Sequence, residues 1–265
     1  MRLLVVAPGT GARWVREGLS AFRRQPMAFF SLFMLFMSAI ALLSRVPLVG
    51  GALAVALAPA STLAMMVAAE QASRLPPGRL APDGRPVSAV LFMAALRAVR
   101  DRIRPLAMLG ALYAVGVLLV GLLATAITGD PFASAFDDQG APRPEVIQSA
   151  GFQGALLLRM ALYLPLALAF WHAPALVHWH AVPPVKSLFF SLVTCLRNFG
   201  AMAVYGIVWF GVVLAASIVL SLVGGLAMAV AGGLGLAVMV GGSFVLTAMF
   251  LGSTWFSFRD CFKAD

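Results

Sequence analysis

Apolar residues gather in six long stretches along this chain, roughly 26–44, 46–69, 105–128, 153–180, 201–224 and 228–257. Each approaches or exceeds the about 20 residues that a helix needs to cross the hydrocarbon of a bilayer. The pattern predicts an all-α polytopic membrane protein with six transmembrane helices. The last two stretches share an uncharged segment from Asn198 to Phe258, in which either Gly224-Gly225 or Gly232-Gly233 marks the turn.

Three intervening segments, about 10–25, 87–104 and 184–199, alternate at helical spacing instead. In the first, Trp14, Val15, Leu19 and Phe22 share an arc opposite Arg13, Arg16, Glu17, Arg23 and Arg24. In the second, Ala89, Phe92, Leu96, Val99 and Ile103 fall at 3-4-3-4 spacing. The third pairs an apolar stripe of Val185, Leu188, Leu192, Cys195 and Phe199 with a polar one of Ser187, Ser191, Thr194 and Asn198. These are expected as amphipathic interfacial helices with their apolar faces in the membrane; the alternative is that each merely extends the following span. Each precedes two spans, so the chain divides into three hairpins in a weak parallel repeat. The second spans of the first two units share Ala58-Pro59-Ala60 and Ala173-Pro174-Ala175, and the third has no proline there.

Composition removes the soluble alternative. Hydrophobic residues make up 62%, charged residues 11%, and mean hydropathy is +0.96, against about 45–50% and about 25% in soluble domains. Of 19 cations, 16 fall on one side of the predicted spans, which by the positive-inside rule makes that side and both termini cytoplasmic. Arg23, Arg24, Arg100, Arg104 and Arg197 are thereby candidates for contact with anionic lipid headgroups. A pI near 11.0 would suit nucleic acid, but cations spread among membrane flanks answer to topology, and no nucleic-acid partner is expected. The N-terminus has too short an apolar run for a signal peptide. The loop 129–152, with Asp130, Asp137, Asp138 and Glu145, reads as solvated, and Cys195 and Cys261 read as free thiols.

His172, His178 and His180 invite a metal, but on a helix they point to different faces and no nearby acid completes a site. An aromatic and imidazole belt at the inner interface is the simpler expectation, with no metal or cofactor. Pro59 and Pro174 free backbone carbonyls, which shapes packing or, in some transporters, lines a path. Arg159 is the charge deep in a span; it either snorkels outward to an acid such as Asp130 or contacts an anion. Gly225, Ala229, Gly233, Ala237 and Gly241 recur every fourth residue, a stripe suited to close helix approach. No acid is expected inside any span, and GxxxxGK[ST] is absent.

Ala173-Pro174-Ala175-Leu176-Val177, followed by His180, Pro183, Pro184, Ser191 and Cys195-Leu196-Arg197-Asn198, resembles the C-terminal half of a family of uncharacterised bacterial six-span inner-membrane proteins. The Trp14 to Pro26 stretch, closing on Arg-Arg-x-Pro, is similar to it too. The resemblance implies a bacterial inner-membrane location and carries no activity, cofactor or site residue. Two functions follow as expectations: a non-catalytic organiser that binds anionic lipid or partner chains as a homo- or hetero-oligomer, and a small-molecule permease without ATPase or intramembrane carboxylate. No residue set supports an enzyme.

Overall fold

The structure is a computed structural model that describes residues 2–75, 80–137, 139 and 141–263. Arg79 and Asp138, expected in the basic segment and the acidic loop, lie outside them. The fold is all-α. In chain order the helices are α1 (Thr10–Arg24), α2 (Pro26–Leu43), α3 (Gly50–Ala56), α4 (Ala58–Arg74), α5 (Val87–Asp101), α6 (Ile103–Thr128), the short α7 (Pro131–Ser134) and α8 (Pro144–Ile147), α9 (Ala150–Trp171), α10 (Ala173–Trp179), α11 (Pro184–Arg197), α12 (Phe199–Val230) and α13 (Gly232–Cys261). Among the described residues six segments are long and apolar enough to cross a membrane: α2, α3 with α4, α6, α9 with α10, α12 and α13.

Each basic exit is a helix break. Gln25 leaves helical geometry, and Pro26, whose missing N–H costs nothing at a first position, starts α2. Arg102 (φ −116°, ψ 24°) and Asn198 (φ −106°, ψ 27°) end α5 and α11 in nearly the same conformation. Both helices also begin after a proline at φ −56°, Pro86 and Pro183. The second spans break at Leu57 and His172, directly before Ala-Pro, because proline removes one ladder hydrogen bond and its ring crowds a carbonyl one turn back. The third, α13, lacks that proline and runs unbroken. The final turn falls at Ala231, which selects Gly232-Gly233 and leaves Gly224-Gly225 inside α12.

The core sits toward the end of the bundle that carries most of the cations, called here the basic end. At its centre is α4, whose Leu63–Ala69 run is apolar and buried on every side against α1, α2, α5, α6, α10 and α13. Such an all-round apolar helix belongs inside a bundle. On α1, Trp14, Val15 and Phe22 are buried on α12 and α13, so its apolar arc is covered by protein and not by lipid. Gly11 and Gly18 permit this: a Cβ at Gly11 would overlap the Ala201 carbonyl, and one at Gly18 would overlap Ser253.

α5 and α11 each turn to the bundle a side that their apolar stripes do not mark. In α5 the buried stripe is Val87, Leu91, Ala95 and Ala98, because the small alanines let it approach α4; Ala89 and Ile103 are exposed and Phe92, Leu96 and Val99 half-buried. In α11 the side against the bundle is the polar stripe, joined by Cys195. Ser187, Ser191, Thr194 and Asn198 are buried, with Val185, Phe189 and Leu196 outward. Hydroxyls can face a helix interface since they bond to backbone carbonyls, as Ser187 does to Pro184 and Thr194 to Phe190, while apolar groups facing hydrocarbon need no partner. The termini add an unanticipated clasp: β1 (Arg2–Leu3) pairs antiparallel with β2 (Phe262–Lys263), and the Asn198 amide bonds Val6 N and Leu4 O.

Candidate functional site

The α9–α10 break builds a closed polar core. In an unbroken helix His172 N would donate to Leu168 O; here it donates to Ser191 Oγ at 2.8 Å, and Ser191 donates to Leu168 O at 2.8 Å. A hydroxyl from α11 thus splices the ladder that Ala-Pro-Ala interrupts. His172 itself is fully buried. Ser257 Oγ gives its own proton to Thr254 O (2.7 Å), so it accepts from Trp171 Nε1 (3.3 Å) and from His172 Nε2–H (3.0 Å). That leaves His172 Nδ1 as acceptor toward Cys195 Sγ at 3.8 Å, and burial pushes the Cys195 thiol up to about 12. One turn earlier on α13, Ser253 Oγ meets Tyr205 Oη at 2.5 Å and Trp209 Nε1 at 3.1 Å, and the rings of Trp14, Trp171 and Phe250 stand around Tyr205.

At the basic end three carboxylates are tied down. Arg259 holds Glu17 (2.7 Å) and Asp260 (2.8 Å) while stacking near Trp255 and Phe256. Asp260 also takes Arg13 at 2.6 Å and Trp14 Nε1 at 2.9 Å. Glu70, buried, takes Arg74 at 2.8 Å and Trp179 Nε1 at 3.2 Å. The expectation of no acid within a span is therefore corrected: α4 and α13 continue past their apolar windows and carry Glu70 and Asp260 inside the helices. Paired in this way, both acids act as struts.

Above the closed core lies a cleft of about 320 Å³, formed by Pro59 and Thr62 of α4, Tyr113 of α6, Tyr163 and Trp171 of α9 and Phe250 of α13. Its wall is mostly hydrocarbon. The Tyr113 and Tyr163 hydroxyls bond to each other, Thr254 bonds back to Leu251 O at 2.6 Å, and Trp171 is committed to Ser257. A second groove of about 310 Å³ between α12 and α13 shares Phe250 with it. Among the described residues no three His, Cys, Asp or Glu stand close enough to hold a metal ion.

Comparison with known proteins agrees with this architecture. The chain is 36% identical over 266 residues to a probable inner membrane protein of Burkholderia thailandensis, covering 99% of this chain and 94% of that relative. The chain belongs to this family of inner-membrane proteins. It is a multi-pass protein of the bacterial inner membrane. No family model matches the sequence, and no solved structure matches it.

Within this family member the residues singled out from sequence scatter. Pro59 lines the cleft, but Pro174 is buried in the closed core and Arg159 lies further out on α9. Arg159 reaches Thr125 Oγ1 at 3.4 Å and sits 4.3 Å over the Phe132 ring, with no partner on Nε among the described residues. Asp130, its expected acid, instead caps α7 through Ala133 N. His172 is core and not interfacial belt; His178 is half-buried, edge-on to Trp179, with Nδ1 unpartnered among the described residues. The small-residue stripe is divided by the turn at Ala231, with Gly225 and Ala229 on α12 and Gly233, Ala237 and Gly241 on α13. A Cβ at Gly225, Gly233 or Gly241 would meet nothing within 4 Å; the hairpin closes on Gly224 and Gly235 instead. Arg23, Arg24, Arg100, Arg104 and Arg197 are exposed, and among the described residues only Arg100 pairs with an acid, Asp101. Ser191, Ser253 and Ser257 were missed as core residues, although the four-residue spacing on α13 and the polar stripe on α11 signal them.

Proposed function

We propose that this protein is a non-catalytic organiser of the inner membrane, binding lipid and partner helices in the plane of the bilayer and moving no solute across it. The observation that carries this reading is the closed polar core. The cleft at Pro59 ends on a layer in which His172 and Trp171 bond Ser257 and Tyr205 bonds Ser253, the two groups meeting where the Trp171 and Tyr205 rings touch edge-on, and all but Trp171 are fully buried. Water in transit would have to break several of these bonds. Positive-inside logic sets the basic end and both termini in the cytoplasm, where free Arg23, Arg24, Arg104 and Arg197 suit anionic headgroups. Gly233 and Gly241 on α13, where an added Cβ would meet nothing within 4 Å, leave room for a partner helix, from another copy or another chain.

The permease reading draws on one observation, the proline at the cleft wall. Extraction at native expression in a mild detergent, followed by mass spectrometry of the chains that come with the protein, separates the two. A reproducible partner or self-assembly supports the organiser. Recovery alone at every detergent strength, together with solute flux into proteoliposomes that Pro59→Ala alters, overturns it.

A further inference from the structure

Arg159, Tyr163, Ala167, Phe170 and Trp171 follow one another along α9 at intervals of four, four, three and one, so they descend a single side of that helix. The last four line the cleft. Arg159 stands one turn, about 6 Å, beyond them toward the far end of the bundle. Its guanidinium has no carboxylate partner among the described residues, and its Nε has no hydrogen-bond partner. A cation left in this way at the margin of the hydrocarbon calls for an anion from outside the chain.

The cleft calls for a different chemistry. Tyr113 and Tyr163 bond to each other, which leaves one phenolic proton over, Thr254 is bonded to its own helix and Trp171 to Ser257. With the Thr62 hydroxyl, these are too few donors on a wall of hydrocarbon to replace the water bonds of a strongly polar solute. A hydrocarbon chain has no such cost. The cleft reaches the lipid-facing surface at Tyr163, which is itself exposed, as is Leu164 next to it in the chain. The length also fits. From Arg159 to Phe170 is 11 residues, about 16 Å of helix, close to half of the about 30 Å hydrocarbon core, the depth that one leaflet's chains fill.

We propose, resting on the reading of the protein as a lipid- and partner-binding organiser, that the cleft holds one phospholipid of the leaflet opposite the basic end, with its phosphate on Arg159 and one acyl chain descending past Tyr163 to Trp171 and Phe250. Charge complementarity at Arg159 and continuity of the cleft with the lipid-facing surface fix the occupant as a lipid already in the bilayer.

The test uses the full chain in nanodiscs containing a phosphatidylglycerol with a diazirine in its acyl chain, with cross-linked peptides mapped by mass spectrometry. Cross-links are expected on the α9 and α13 segments around Ala167 and Phe250, above the level on lipid-facing Leu118 to Leu122. Ala167→Phe fills the cleft and is expected to lower that yield about tenfold. Thr62→Phe fills it from the opposite wall and decides the matter should Ala167→Phe unfold at a lower temperature. Arg159→Gln is expected to cost about fivefold in retained lipid. Equal labelling of cleft and lipid-facing helices, or cleft labelling unchanged by both fillings, overturns the proposal. So does a diazirine fatty acid that labels the cleft equally well and competes the phospholipid out. If the cleft fails these tests while partners still co-purify, the lipid site falls and the organiser reading stands.

Discussion

The two ends of the bundle are both built on apolar helices and are held by different forces. Toward the basic end Trp14, Leu63, Leu91, His172 and Ser191 are shut away completely, whereas toward the far end Leu118, Leu122, Leu222 and Val230 stand open. In water the second set would be a defect. In hydrocarbon it costs nothing, because lipid tails solvate leucine as well as another leucine does. What makes the basic half a unit is therefore close backbone approach at small residues and hydrogen bonding by hydroxyls and indoles.

The largest break in that comparison is expected from matched glycines. A Cβ at Gly18 would overlap the Ser253 side chain and backbone, while one at Gly211 on α12 would meet nothing within 4 Å. Gly18→Leu is expected to lift α1 from α12 and α13 and cost about 3–5 kcal/mol. Gly211→Leu is expected to stay within about 0.5 kcal/mol. Unfolding in increasing denaturing detergent, followed by protease access to α1, measures both. Equal effects would mean that close packing is not what separates the halves.

A chemical probe reads the closure next. Burial raises the Cys195 thiol from 9.0 to about 12, and the thiolate is the reacting form. Its neutral form is favoured in the folded state, so this contribution to stability is present below pH 9 and lost as pH rises toward 12. In a Cys261→Ala background, which removes the part of the shift due to Cys261 and leaves that due to burial, Cys195 at pH 8 is expected to alkylate about a hundredfold more slowly folded than denatured. A difference under tenfold would show that the core admits water and reagent.

Helix positions were legible in the sequence because a span needs a long apolar run and because Pro26, Pro59, Pro86, Pro174 and Pro183 force a break or a start. The buried face of α11 was not. Ser187, Ser191 and Thr194 can take that side because each hydroxyl has a backbone carbonyl to bond, which helical periodicity does not signal. Glu70 and Asp260 escaped notice because an apolar window ends where the first charge appears, while the helix continues through it. The cleft was beyond sequence periodicity altogether: Pro59, Tyr113, Tyr163 and Phe250 come from four helices, and no local pattern joins them.

A smaller effect comes from serines that differ only in what they bond. Ser253 Oγ serves both Tyr205 and Trp209, whereas Ser243 bonds only Met239 O within its own helix. Ser253→Ala strands two buried groups and is expected to cost about 1–2 kcal/mol, near the upper range for hydrogen bonds between membrane helices. Ser243→Ala is expected to fall within about 0.5 kcal/mol. Thermal unfolding followed by tryptophan fluorescence checks the pair, since Trp209 reports the loss directly.

The smallest effect carries the most information about partners. A Cβ at Gly235 would press on the Gly224 carbonyl at 2.6 Å and on Met228, whereas one at Gly241 meets open space. Gly235→Ala is thus expected to loosen the α12–α13 hairpin, while Gly241→Ala is expected to be neutral or to stabilise the isolated chain by up to about 1 kcal/mol through helix propensity. That sign holds only while the Gly241 side of α13 faces lipid. If another helix packs there, the added methyl lies in the interface, and the same substitution weakens assembly without lowering the stability of the isolated chain. Measuring both quantities for Gly241→Ala, by unfolding and by size in mild detergent, therefore decides whether the open half of the bundle is finished by lipid or by a second helix.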